Sequence, residues 1–122
     1  MFPTLGDVHI SEISELWHST FTIEVAKDGN HRFQYFGPEL ANIFGGDYTS
    51  EPVAQSLADN SMLDNTIGFF MKVVERRSPV SESAVFFMEG KEVRYRSLIV
   101  PFSSDGQVID YLLGTANYKV FD

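Results

Sequence analysis

Apolar and polar residues alternate along Phe21-Thr22-Ile23-Glu24-Val25, the period-two pattern of a half-buried antiparallel strand. Asp28-Gly29-Asn30 follows with residues that tolerate left-handed backbone, which predicts a tight turn, and Phe33 and Tyr35 continue the alternation on a return strand. Gly37-Pro38 closes that strand and opens a helix carrying Leu40, Ile43 and Phe44 at helical spacing. Residues 45–52 are turn-rich, and a single helical turn is expected at 53–57. A longer helix is expected from Asn60 or Ser61, where Ser61-Met62-Leu63-Asp64 fits a capping box with Asp in place of Glu. Its apolar stripe is Leu63, Ile67, Phe70, Met71 and Val74, and Ser78-Pro79 ends it.

The last third reads as strand. Residues 83–88 form a short apolar run, Glu89-Gly90-Lys91 a turn, and residues 93–102 a longer strand. On that strand Val93, Tyr95 and Ile99 share one side and Arg94, Arg96, Leu98 and Val100 the other. Ser103-Ser104-Asp105-Gly106-Gln107 is a second hairpin signal, and residues 108–120 return as a final strand. Ahead of the first strand, residues 7–18 carry Ile10, Ile13, Leu16 and Trp17 at three- and four-residue spacing with Ser11 as a cap, which predicts a short amphipathic helix. The pattern sums to an α+β chain with five antiparallel strands, helices inserted between the second and third, and an N-terminal flanking helix over residues 1–20 ahead of a domain spanning 21–122.

At 122 residues the chain has room for one hydrophobic core, and 43% hydrophobic content with 11 Phe and 5 Tyr indicates a core of large rings. Nine basic against 17 acidic residues leave a formal charge of −8, a field that repels phosphate backbones and anionic membranes, so neither nucleic acid nor a membrane is expected as a partner. The absence of cysteine excludes disulfides, thiolate nucleophiles, Cys-ligated zinc and flavin–thiol photochemistry. The start lacks a signal-peptide pattern and no apolar run approaches membrane-spanning length, so a cytoplasmic location is expected.

Strand-strand-helices-strand-strand-strand is the arrangement of PAS domains. The sequence resembles a branch of small bacterial PAS proteins in three elements: Asp28-Gly29 before the second strand, Gly37-Pro38-Glu39-Leu40-Ala41-Asn42-Ile43-Phe44-Gly45, and Leu98-Ile99-Val100-Pro101-Phe102-Ser103-Ser104-Asp105-Gly106. The resemblance covers nearly the whole chain. It implies a sheet in the spatial order two-one-five-four-three and a sensory or regulatory role in bacterial signalling without catalysis. It also implies homodimerisation through the N-terminal helix, with Ile10, Ile13 and Trp17 at the contact, although that helix has its own sheet as a second place to dock. A signalling protein or a small molecule is the further partner expected.

Candidate chemistry is sparse. His9, His18 and His31 lack the spacing of metal ligands, His31 is expected to be solvated beside its turn, and none lies on the helix that carries the axial ligand in haem-binding relatives. No Asn-Cys-Arg-Phe-Leu-Gln run, which flavin-type photosensors of this fold share, occurs between Asn42 and Val74. No cofactor, metal site or catalytic residue is therefore expected. Phe33, Tyr35, Phe44, Phe70, Phe87, Tyr95 and Ser97 are the candidate lining of an interior cavity; simple core filling by the rings is the favoured alternative. Arg94 and Arg96 are spaced to clamp a carboxylate or phosphate, against a favoured role covering the outer sheet or pairing with acids. An apolar or carboxylate-bearing metabolite between sheet and helix is the second functional reading, and an enzyme on a cone-like α+β fold the third.

Overall fold

A computed structural model describes residues 17–121, which begin with one 3-10 turn, Trp17–Ser19. The expected flanking helix lies otherwise outside the described residues, as do Ile10, Ile13 and the Trp17 side chain. Strands β1 (Thr20–Glu24) and β2 (Arg32–Phe36) form the first hairpin. Four short helices follow: α1 (Pro38–Phe44), α2 (Val53–Asp59), α3 (Ser61–Ile67) and α4 (Phe70–Arg76). Strands β3 (Val80–Met88), β4 (Lys91–Phe102) and β5 (Tyr111–Phe121) complete an antiparallel sheet in the order β2-β1-β5-β4-β3, as expected.

The hairpin departs from simple alternation. Phe21 pairs with Phe36 and Thr22 with Tyr35, but Ile23 pairs with Phe33, so Gln34 is the extra residue of a β-bulge. The bulge brings Phe33 and Phe36 to the same buried face and leaves Tyr35 on the other. The outer edge of β2 is capped by its own chain: Phe33 N donates to Glu51 O at 3.0 Å, and Ser50 N donates to Phe33 O at 2.7 Å. That pairing removes one of the sheet's two open edges.

The expected long helix is two helices. Asn60, not Ser61, is the N-cap of α3, its side-chain oxygen accepting from Leu63 N at 3.1 Å. The helix ends at Gly68, where an added Cβ would stand 2.4 Å from Asp64 O, so the tight exit needs glycine. Restarting at Phe70 resets the helical phase. Val73 becomes fully buried while Met71, expected inside, turns out 37% exposed and Val74 is half-buried.

One core joins sheet and helices: Phe21, Ile23, Phe33, Phe36, Leu40, Phe44, Leu63, Ile67, Phe70, Val73, Ile99 and Leu112 are all buried. Its tightest approach is in the sheet. Gly114 of β5 lies opposite Phe21 of β1, and a Cβ there would come within 2.2 Å of the Phe21 ring. The missing side chain is the space the ring occupies. Pro101 is tolerated in a strand flanked on both sides because β3 ends at Val80, opposite Ile99, before reaching it.

Candidate functional site

The interior side of the sheet is a layer of rings, and β4 and β5 stitch it to α3. Phe33 packs edge-on against Phe21 and Phe36 with centroids 6.1 and 5.4 Å apart, Phe44 against Tyr118 at 5.6 Å, and Tyr118 beside Tyr95 at 5.8 Å. Tyr95 Oη donates to Asn65 O at 2.7 Å and Ser97 Oγ to Thr66 O at 2.8 Å. The Tyr118 hydroxyl bonds Thr66 Oγ1, and Thr66 Oγ1 also reaches Met62 O at 2.8 Å. Thr66 has one proton to give; with it on Met62 O, Tyr118 is the donor of the shared bond. Burial pushes the Tyr118 phenol well above its ordinary value, reinforced by Tyr95 and opposed by the Thr66 bond, so it stays protonated and able to donate.

Of the expected cavity residues, Phe33, Phe44, Phe70, Tyr95 and Ser97 are buried on this interior side. Two are not. The bulge takes Tyr35 to the opposite face of β2, and Phe87 stands 73% exposed, because it shares the outer face of the sheet with its cross-strand partner Glu92. A strand of period two has no inward place for Phe87 once Val85 faces out. Tyr118 and Thr66 were missed. Their pairing spans 52 residues and leaves no local trace in the sequence.

The outer face divides in two. Toward β1 it is covered, with Thr20 and Thr22 buried. Over β3, β4 and β5 it is an open cleft of about 650 Å³ whose lining includes Ser83, Val85, Arg94, Arg96, Asn117 and Lys119 and no carboxylate. Register places Val85 beside Arg94 and Arg94 beside Lys119 on one rung, and Ser83 beside Arg96 and Arg96 beside Asn117 on another. Arg94 Nε donates to Glu92 at 2.9 Å, and its guanidinium lies 4.5 Å from the centre of the Phe121 ring. Lys119 Nζ approaches the same ring at 5.4 Å. Arg96 makes no ion pair among the described residues. Both arginines lie on the outer face of the sheet, as the favoured role has it; Arg94 also pairs with an acid there and Arg96 does not.

His31, expected to be solvated, is half-buried at the hairpin: Nδ1 accepts from Ala26 N at 3.0 Å and the ring meets Phe70 edge-on at 5.9 Å. Burial lowers its pKa, opposed by the charge of Asp28. In the β4–β5 loop Asp105 accepts from Gln107 N at 2.8 Å, Val108 N at 2.9 Å and Ser103 Oγ at 2.7 Å, and these bonds hold its carboxyl at about 2. The Asp-Gly hairpin signal therefore has a mechanism, a carboxylate that collects the loop's amides. Among the described residues no three His, Asp or Glu side chains gather as a metal site, and no helix is long and apolar enough to cross a membrane.

This architecture is the PAS fold. The chain is similar in structure to the PAS domain of BvgS from Bordetella pertussis, with a TM-score of 0.62 at 12% identity over 87% of this chain and 79% of that one. A light-oxygen-voltage domain studied with a flavin analogue superposes with a TM-score of 0.59 at 9% identity, covering 90% of this chain and 83% of that one. The PAS domain of a protein from Colwellia psychrerythraea gives 0.51 at 11% identity, with 88% and 94% covered. No family model matches the sequence, and no curated protein matches it. The expected α+β class, five-stranded order and helical insertion are those of the structure, and the rival cone-like fold is set aside.

Proposed function

We propose that the chain is a non-catalytic sensory or regulatory module of bacterial signal transduction, acting through dimerisation or partner binding. The observation that carries this reading is the set of ties from Tyr95, Ser97 and Tyr118 to Asn65 and Thr66 of α3. Hydroxyls that a ligand-sensing interior would hold ready are here spent on fastening sheet to helix. Sheet and α3 then shift together. A partner that binds one packing of that unit better than another moves the equilibrium, whereas equal affinity for both moves nothing. The PAS fold supports the reading as an analogy, since folds of this kind host many activities. Ile10, Ile13 and Trp17 are the proposed pairing element.

Native mass spectrometry and an absorption spectrum of freshly purified protein test the first part. The expected result is the mass of the bare chain or its multiples, with no absorption beyond the tyrosine and tryptophan band. A flavin or haem, or a metabolite still retained by the Arg96→Gln variant and so held in the interior, overturns it. Light scattering tests the pairing element: the wild type is expected to be a dimer at micromolar concentration and Trp17→Ala a monomer. A monomeric wild type, or a dimer indifferent to the substitution, means the assembly does not run through this segment.

A further inference from the structure

We propose that the open cleft on the outer face of β3, β4 and β5 binds a small organic anion, a carboxylate or phosphate carried on an apolar body. The proposal does not depend on the reading above.

The first support is a local conflict in the sheet. Arg94 and Lys119 are directly opposed cross-strand partners, a position in which like charges destabilise an antiparallel pair. Glu92 and the Phe121 ring relieve only part of that repulsion, because both cations share the one ring. Arg96 adds a third cation two residues along β4, about 7 Å away on the same face. On a chain with a formal charge of −8, three cations gathered on one surface without a lining carboxylate run against the overall composition. A local rule broken with only partial compensation is expected at functional surfaces.

The second support is the shape and chemistry of the cleft. Its volume of about 650 Å³ falls within the range of small-molecule sites. Arg96 offers a planar fork suited to two anionic oxygens, Lys119 a point charge, and Ser83 and Asn117, its neighbours on the same rung or the next, neutral donors. Val85, 52% exposed, supplies an apolar wall for the ligand's body. The domain's overall negative field gives no long-range attraction to anions, so binding rests on this local arrangement.

The test is a titration of the nitrogen-15-labelled 122-residue chain with phenyl phosphate at neutral pH, against sodium chloride at matched ionic strength. Saturable amide shifts are expected at Ser83, Arg96 and Asn117. Arg96→Gln and Lys119→Gln are each expected to weaken binding about tenfold, the loss of one charge-assisted contact. Lys27→Gln removes the same charge from the exposed β1–β2 turn and is expected to bind like the wild type. Urea midpoints of all three variants verify folding. Shifts that fail to saturate, that chloride reproduces, or that Lys27→Gln weakens equally overturn the proposal. A six-residue polyglutamate that occupies the cleft tenfold more tightly than phenyl phosphate overturns its small-molecule form and assigns the surface to an acidic protein segment.

Discussion

Along β4, neighbouring residues belong to opposite worlds. Val93, Tyr95, Ser97 and Ile99 face a ring-filled core in which each hydroxyl has a named partner, while Arg94, Arg96 and Leu98 face an open, cationic surface. The interior face packs ring against ring and gives the Tyr95, Ser97 and Tyr118 hydroxyls partners on α3, as stability rewards. The outer face keeps opposed cations and exposed apolar groups that stability alone would remove. The difference separates the two jobs of one sheet: the inside holds the fold, and the outside is available for recognition.

The sharpest way to break this contrast is to truncate matching rings. Phe70→Ala is expected to cost about 3–5 kcal/mol in denaturant unfolding, because the ring is buried against the core beside His31. An unchanged midpoint would mean the interior tolerates a cavity there. Gly114→Ala comes next. Its new Cβ collides with the Phe21 ring, and a loss of about 1–3 kcal/mol is expected, from strain rather than lost contact. Restoration of stability by Phe21→Leu in the double mutant would identify the collision as the cause.

A smaller effect comes from pH. His31 is neutral and accepts a bond from Ala26 N, and burial sets its folded pKa below the ordinary 6.5. The native state therefore binds the proton less readily than the unfolded chain. Its contribution is complete above 6.5 and is lost as pH falls from there through the lowered folded value. Urea midpoints measured from about pH 7.5 down to about pH 5.5 should decline in the wild type, and His31→Leu should flatten that decline. The smallest effect belongs to the outer face: Phe87→Ala is expected to change stability by no more than about 0.5 kcal/mol. A larger loss that depends on protein concentration would place a second copy over this surface.

Much of the fold was legible because its signals are local. Alternation marked the strands, Asp-Gly pairs two of the hairpins and Glu89-Gly90 the third, and Gly37-Pro38 the entry to α1; each acts over a few residues. The side of β4 on which each residue lies also followed from alternation. Tyr35 and Met71 were misplaced for one shared reason: each follows a break in period, the bulge at Gln34 and the helix exit at Gly68. A periodicity argument carries its phase across such a break and is wrong beyond it. Phe87 failed differently, since a run such as Val85-Phe86-Phe87-Met88 is apolar at every position and has no phase to read.

The candidate site was legible only in halves. Arg94 and Arg96 were identifiable as a pair two residues apart, but Lys119 and Asn117 join them through a β4–β5 register set by the loop between the strands. Tyr118 reaches Thr66 through a contact that only the packed sheet and helix create. The sequence by itself determined the strand count, the helical insertion, the ring-rich core and the net charge, because these follow from residue type and spacing. Tertiary structure alone decided where the period resets, which hydroxyls are spent holding α3, and that three cations meet on one face, because register and packing join residues whose separation along the chain carries no information about their meeting.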